Sequence, residues 1–426
     1  MTGRASVVLL VALAFSPELR SQSKNVFLEH ADSLVGKIID GQQARELIGN
    51  VRMFQDQVRV WCDSATQFLQ SGKVFLAGHV VVRDDSVTMR APRGIYDPNL
   101  RKAEGHNGVS LDDGKVLLIA REGEYFVDEK RAFFRTDVFV REKNSTILSD
   151  SLTYFRNETR SVAEGNVRVR DSAENLVITG SRLEHWSAED ISRMTGTPAL
   201  VQFDTTADGR VDTLLVRSRM MESYRSGQRR LLAIDSVRIV RSDLSALAGF
   251  AMFYPDGDSI MLRTEPVVWY EKTQINGDSI DVYLKMQQLE HVDVQGNALA
   301  VSMVDTLGVV RFDQLAGETM HMFFTEKKLR KVNLDRRATS VYHLFEDSLA
   351  NGLNRTSGDR IVMEFDSGKV TSITVIGGVE GEYVPENLVH GDESSYHLPG
   401  FLWRDDRPSI TPPDHAEIKG IALEWE

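Results

Sequence analysis

The stretch from residue 165 to residue 180, GNVRVRDSAENLVITG, reads as one β-hairpin. Gly165 and Asn166 open it, and Val167 and Val169 alternate with arginines. A polar DSAEN turn follows, and Leu176, Val177 and Ile178 resume the apolar run. Period-two alternation with β-branched residues marks a half-buried strand. Glycine or asparagine at the opening suits a bulge or turn with positive φ. Nothing in the stretch is reactive, but it is written many times.

Aligned on its opening, the hairpin gives a column of Val51, Val80, Val109, Val138 and Val167, each 29 residues from the last. Two places earlier stand Gly49, Gly78, Asn107, Thr136 and Gly165, and two places later Met53, Val82, Leu111, Val140 and Val169. Small residues follow in step at Cys62, Ala91, Ala120 and Ser149, with Gly180 after a two-residue insertion. Gln67, Tyr96, Tyr125, Tyr154 and His185 close each copy. Beyond residue 185 the copies loosen. GTPALVQF (196–203), IDSVRIV (234–240) and VQGNALAV (294–301) keep the opening, and ITVIGGVEGEYVP (373–385) ends the series. Residues 315–324 and 356–365 resemble second halves of copies. Helical periodicity is weak, and AEDISRM (188–194) makes at most one turn. A copy of this size buries too little apolar area, at about 25 cal/mol per Å², to offset backbone ordering at about 1–2 kcal/mol per residue. The copies must therefore stack on one another around a shared interior.

The organisation read from the pattern has four parts. Residues 1–22 have a signal-peptide layout, with Arg4 before the nine-residue apolar run Val7 to Phe15, which is too short to span a bilayer. Residues 24–204 hold the regular repeats, 205–385 a second and more degenerate set, and 386–426 a tail without repeats. The net charge of −12 disfavours nucleic acid as a partner. Cys62 is the one cysteine of the chain, so there is no intramolecular disulfide and no cysteine zinc cluster. The ten histidines form no H-E-x-x-H, and there is no G-x-S-x-G elbow, phosphate-binding loop or dinucleotide glycine pattern. DGDS (256–259) and NGDS (276–279) read as Asp-Gly turns, and His291 and His321 as surface residues. No catalytic residue, cofactor or metal site is expected, and the chain reads as a non-enzyme.

LIGNVRMF, VWCDSATQF, LAGHVVVRDD, ILSDSLTYF and VAEGNVRVRD together resemble the OstA-like domain of the LptA family. The resemblance runs over about 24–385 and is strongest from 47 to 185. It implies an elongated, all-β, antiparallel jelly roll, open or V-shaped in section, whose apolar interior carries the acyl chains of lipopolysaccharide. It also implies a periplasmic location and edge-strand pairing with inner-membrane and outer-membrane components of a transport bridge, or head-to-tail with copies of itself. The candidate lining of a lipid groove is Val51, Met53, Val80, Val82, Val109, Leu111, Val138, Val140, Val167, Val169 and Ile178. The same columns fit plain core packing. Two other readings stay open on pattern alone: a parallel β-helix acting on polysaccharide, and a structural or adhesion rod with a dry interior.

Overall fold

The computed structural model describes residues 25–205, 211–242, 244–285, 288–304, 309–326, 328–346, 349–366 and 369–423. The signal-peptide reading of residues 1–22 lies outside them. The chain divides into two compact units, Met1–Asn107 and Gly108–Glu426. In the first, Phe27–His30 and Ser33–Ile39 pair with Gln42–Gln55. Val58–Phe68, Val74–Asp84, Val87–Asp97 and Lys102–His106 follow as successive antiparallel neighbours. Within the second unit the strands from Val109–Asp112 to Glu380–Pro385 are again antiparallel neighbours. The fold is thus the all-β antiparallel jelly roll, and the antiparallel ladders set the parallel β-helix aside.

The sequence columns are one structural device. Val51 pairs with Cys62, Val80 with Ala91, Val109 with Ala120, Val138 with Ser149 and Val167 with Gly180. The register slips just before the valine in the four uninterrupted strands, between Ile48 and Val51, Ala77 and Val80, Arg135 and Val138, and Glu164 and Val167. Each slip is a bulge that bends its strand. Gly49, Gly78, Asn107, Thr136 and Gly165 have φ of 75°, 76°, 65°, 66° and 76°. At Gly165 a side chain is barred twice over, because an added Cβ would lie 2.3 Å from Oδ2 of Asp150. That aspartate accepts a hydrogen bond from Nδ2 of Asn166 at 2.8 Å, and Asp32 accepts one from Asn50 at 2.9 Å. The Gly-Asn opening is therefore a corner, closed by an aspartate from the neighbouring strand.

The corner divides each hairpin into two half-strands. In each unit one set of halves carries the valine columns and forms a valine wall. The other, with Tyr96 in the first unit and Tyr125, Tyr154 and His185 in the second, forms a tyrosine wall. Residues 188–194 make no helical turn: after a hairpin turn, Ile191–Thr195 is a strand of the tyrosine wall. Residues 315–324 and 356–365 lie within the long strands Arg311–Thr325 and Leu349–Asp366. DGDS begins in a 3-10 turn, Pro255–Gly257, whereas NGDS sits at a corner where the Asp278 amide donates to the Gly296 carbonyl at 2.9 Å. The two look alike in sequence and do different jobs.

The tail, which the repeat left unassigned, runs back over the outer face of the valine wall of the second unit. Val389 and Leu398 pack with Val341, Leu353 and Val384. Buried Gln314 accepts from the Leu398 amide at 2.7 Å. Buried Gln274 donates to the Leu402 carbonyl at 2.6 Å and accepts from the Arg404 amide at 2.8 Å. Arg407 donates to the Ser245 hydroxyl at 3.1 Å. The helix Pro412–Leu423 ends the path, with Ile410 and Ile418 on Val177, Ala199, Val201, Leu215 and Val240. Arg217 donates to Asp414 at 2.8 Å and to Glu417 at 2.6 Å, and Thr179 to Glu417 at 2.6 Å. Burial pushes the Asp414 carboxyl up, but hydrogen bonds from Thr411 and the Arg217 guanidinium outweigh it and hold the group well below the carboxylate range.

Candidate functional site

Alternation decides which residues face inward. On the valine wall Val140, Val169, Ile178, Leu200, Val216 and Ile239 share one face, and Val177, Ala199, Val201, Leu215 and Val240 the other. The first set lines a cavity of about 350 Å³, a size in the range of small-ligand sites. The facing tyrosine wall contributes Leu183, Met194, Met221, Ala233, Ala251 and Phe253. The alanines at 233 and 251 leave space that a larger residue would fill. The cavity is apolar through its depth and polar along one side, where Glu142, Ser145, Asp171, Glu174, His185, Arg225 and Arg229 stand.

That polar side is where the hairpin turns of the two walls meet. Crossing hydrogen bonds close the seam between them. In the first unit Tyr96 donates to Gln55 Oε1 at 2.6 Å, Gln55 donates to the Pro98 carbonyl at 3.2 Å, and Arg101 donates to Asp56 at 2.7 Å. In the second unit Tyr154 donates to Asp113 at 3.4 Å, and His185 Nε2 lies 3.9 Å from Glu142. Further along, the bridge passes to the five-residue turn 225–229. Arg225 donates to Asp171 at 2.7 Å and to the Ser145 hydroxyl at 3.2 Å, and Arg229 donates to Glu174 at 2.5 Å and to Asp256 at 3.0 Å. Tyr96, Tyr154 and His185 of the closing column thus stand at the seam. The arginines have no repeat position, so no column marked them.

Electrostatics follow burial. Burial lowers the pKa of His185 in spite of Glu142 and Asp190 nearby, so the ring is held neutral. Burial, then the Asp113 charge, raises that of Tyr154. Burial pushes the Cys62 thiol up to about 12, which leaves it protonated and unreactive. Among the described residues no group of three or more His, Cys, Asp or Glu is placed to hold a metal ion.

Of the eleven candidate lining residues, Val140, Val169 and Ile178 line the cavity. Val51, Met53, Val80, Val82, Val109, Leu111, Val138 and Val167 are 1–5% exposed and packed into the interior. His291 and His321 are half-buried on neighbouring strands: His291 stacks on Tyr283 at 4.1 Å, and His321 Nδ1 lies 2.7 Å from Asp293. Both ends of the strand series leave apolar side chains in the open: Phe27, Leu28, Leu34, Val35 and Ile38 in the first unit, and Ile373, Ile376 and Tyr383 in the second. Among the described residues no helix is long and apolar enough to cross a membrane.

Residues 23–135 match the OstA-like protein family. Among solved structures the chain is similar to LptH from Pseudomonas aeruginosa, described as the LptA homologous periplasmic component of the conserved lipopolysaccharide transport device. That match has 16% identity and a TM-score of 0.26, and covers 33% of this chain and 95% of LptH. No match is found among curated proteins.

Proposed function

We propose that this chain, OstA-like by its repeats and by the family match, shields acyl chains of lipopolysaccharide between its walls and passes them on towards the outer membrane. The observation that carries the reading is the apolar cavity between the walls of the second unit. Burying a fatty chain there gains about 0.8 kcal/mol per CH₂. The attraction is non-directional, so a chain has no single deep trap to leave. The chain holds no nucleotide-binding motif in its sequence, and the driving force comes from a partner. The exposed edge segments Ser33–Ile39 and Lys369–Ile376 pair with further jelly rolls, from either membrane or from a second copy, because an edge strand offers unpaired backbone groups. A periplasmic location fits this role.

A photo-crosslinking side chain at Val140, Val169 or Ile178, irradiated in cells, is expected to capture lipopolysaccharide, with Val201 on the opposite face as the silent control. A folded protein that yields no adduct at all three positions sinks the lipid reading and leaves a dry structural rod. Ile373→Lys is expected to weaken association with a partner jelly roll while leaving crosslinking at Ile178 intact.

A further inference from the structure

We infer that Arg225 and Arg229 form a latch along the seam, and that the occupant of the cavity enters and leaves sideways through it. The inference rests on the reading that the cavity holds an acyl chain, and concerns how that chain gets in. Both arginines stand on one turn of the tyrosine wall, and their partners Ser145, Asp171 and Glu174 stand on two turns of the valine wall. All five residues line the cavity, so these bonds are its side wall. Among the described residues no strand ladder joins the turn 225–229 to the turns that carry Ser145, Asp171 and Glu174.

The chemistry of the bridge changes where the cavity lies. In the first unit the seam is held by the buried pair Tyr96 and Gln55, which are 1% exposed, and by Arg101, whose side chain is 10% exposed, on Asp56. Such a bond is costly to break because it leaves buried polar groups unmet. Arg225 and Arg229 keep side chains 43% and 42% exposed and Glu174 is 37% exposed, while Asp171 is buried at 7%, so Arg229–Glu174 is the exposed pair of the two. Exposed ion pairs are weak and are screened by salt. When the Arg229–Glu174 pair parts, water meets both of its charges at once. Arg225 and Arg229 are already matched to Asp171, Glu174 and Asp256, which also argues that these two guanidiniums serve the seam and not an anionic headgroup.

Exchange of cis-parinaric acid, a fluorescent fatty acid, tests the latch on the full chain. Arg225→Gln with Arg229→Gln is expected to speed both uptake and release about tenfold. Raising the salt from 50 mM to 500 mM is expected to speed exchange in the wild type and not in the double variant. Glu174→Cys and Arg229→Cys, joined by a short bis-maleimide in a Cys62→Ser background, is expected to slow exchange at least tenfold. Exchange that is equally fast with and without the crosslink overturns the latch while leaving the lipid reading in place. A wild-type protein that binds no cis-parinaric acid at equilibrium overturns the lipid reading, and the latch falls with it.

Discussion

The valine wall is built in two ways. Over residues 51–169 its outer face carries Arg52, Trp61, Val81, Arg90, Ile119, Leu148 and Arg168, which are exposed or half-buried. Over residues 177–353 the same face carries Val177, Val201, Leu215, Gln274, Gln314 and Val341, all buried under the tail. A strand with one wet face must alternate, whereas a strand covered on both faces reads as a continuous apolar run. ALVQF, VVWY and NALAV look degenerate as repeats for that reason. The corner persists in NALAV, where the register slips between Gln295 and Ala298 and Ala298 stands opposite Gly317, and neighbouring strands keep it with Val237 opposite Ala248 and Ala338 opposite Gly358. Weak alternation here signals an extra layer and not the loss of the fold.

Removing residues 386–426 is the hardest blow to this contrast. It strips the cover from several large aliphatic side chains, each worth about 1.5–3 kcal/mol. Hydrogen exchange is expected to show lost amide protection in the strands from 177 to 353 and unchanged protection at 51–97. Equal loss in both regions refutes the two-layer account. A narrower version places one charge on the same face in each region. Val201→Asp is expected to cost about 4 kcal/mol in denaturant unfolding, and half-buried Val81→Asp less than about 1 kcal/mol.

The interiors differ as well. Ala65 is packed in the first unit and Ala233 borders the cavity. Ala65→Phe is expected to cost about 1–3 kcal/mol by overpacking, while Ala233→Phe leaves the unfolding midpoint within about 0.5 kcal/mol and lowers fatty-acid binding. Comparable destabilisation by both would mean that the cavity is not available space.

The smallest effect expected is that of pH. His185 has a folded-state pKa below its usual 6.5, because burial outweighs its acidic neighbours. The unfolded chain therefore takes up the proton first, and stability falls as pH drops below about 6.5. His185→Gln is expected to flatten that slope in melts between pH 7.5 and 5.5. An unchanged slope removes His185 as its source.

The hairpin length, the corner and the inward face were legible in the sequence because they depend on residues near one another. Gly165, Asn166 and Val167 specify a bulge whatever lies beyond, and parity then assigns every side chain of the strand to a face. The pairing of Val167 with Gly180 follows from the same local turn. Which inward residues border open space was not legible, since a cavity is the difference between two opposing walls. Val138 and Val140 sit two residues apart on one face of one strand, yet Val140 borders the cavity and Val138 is packed into the interior. The tail and the arginine latch depend on tertiary structure even more. Asp414 meets Arg217 across 197 residues and Arg229 meets Glu174 across 55, contacts that no local period encodes.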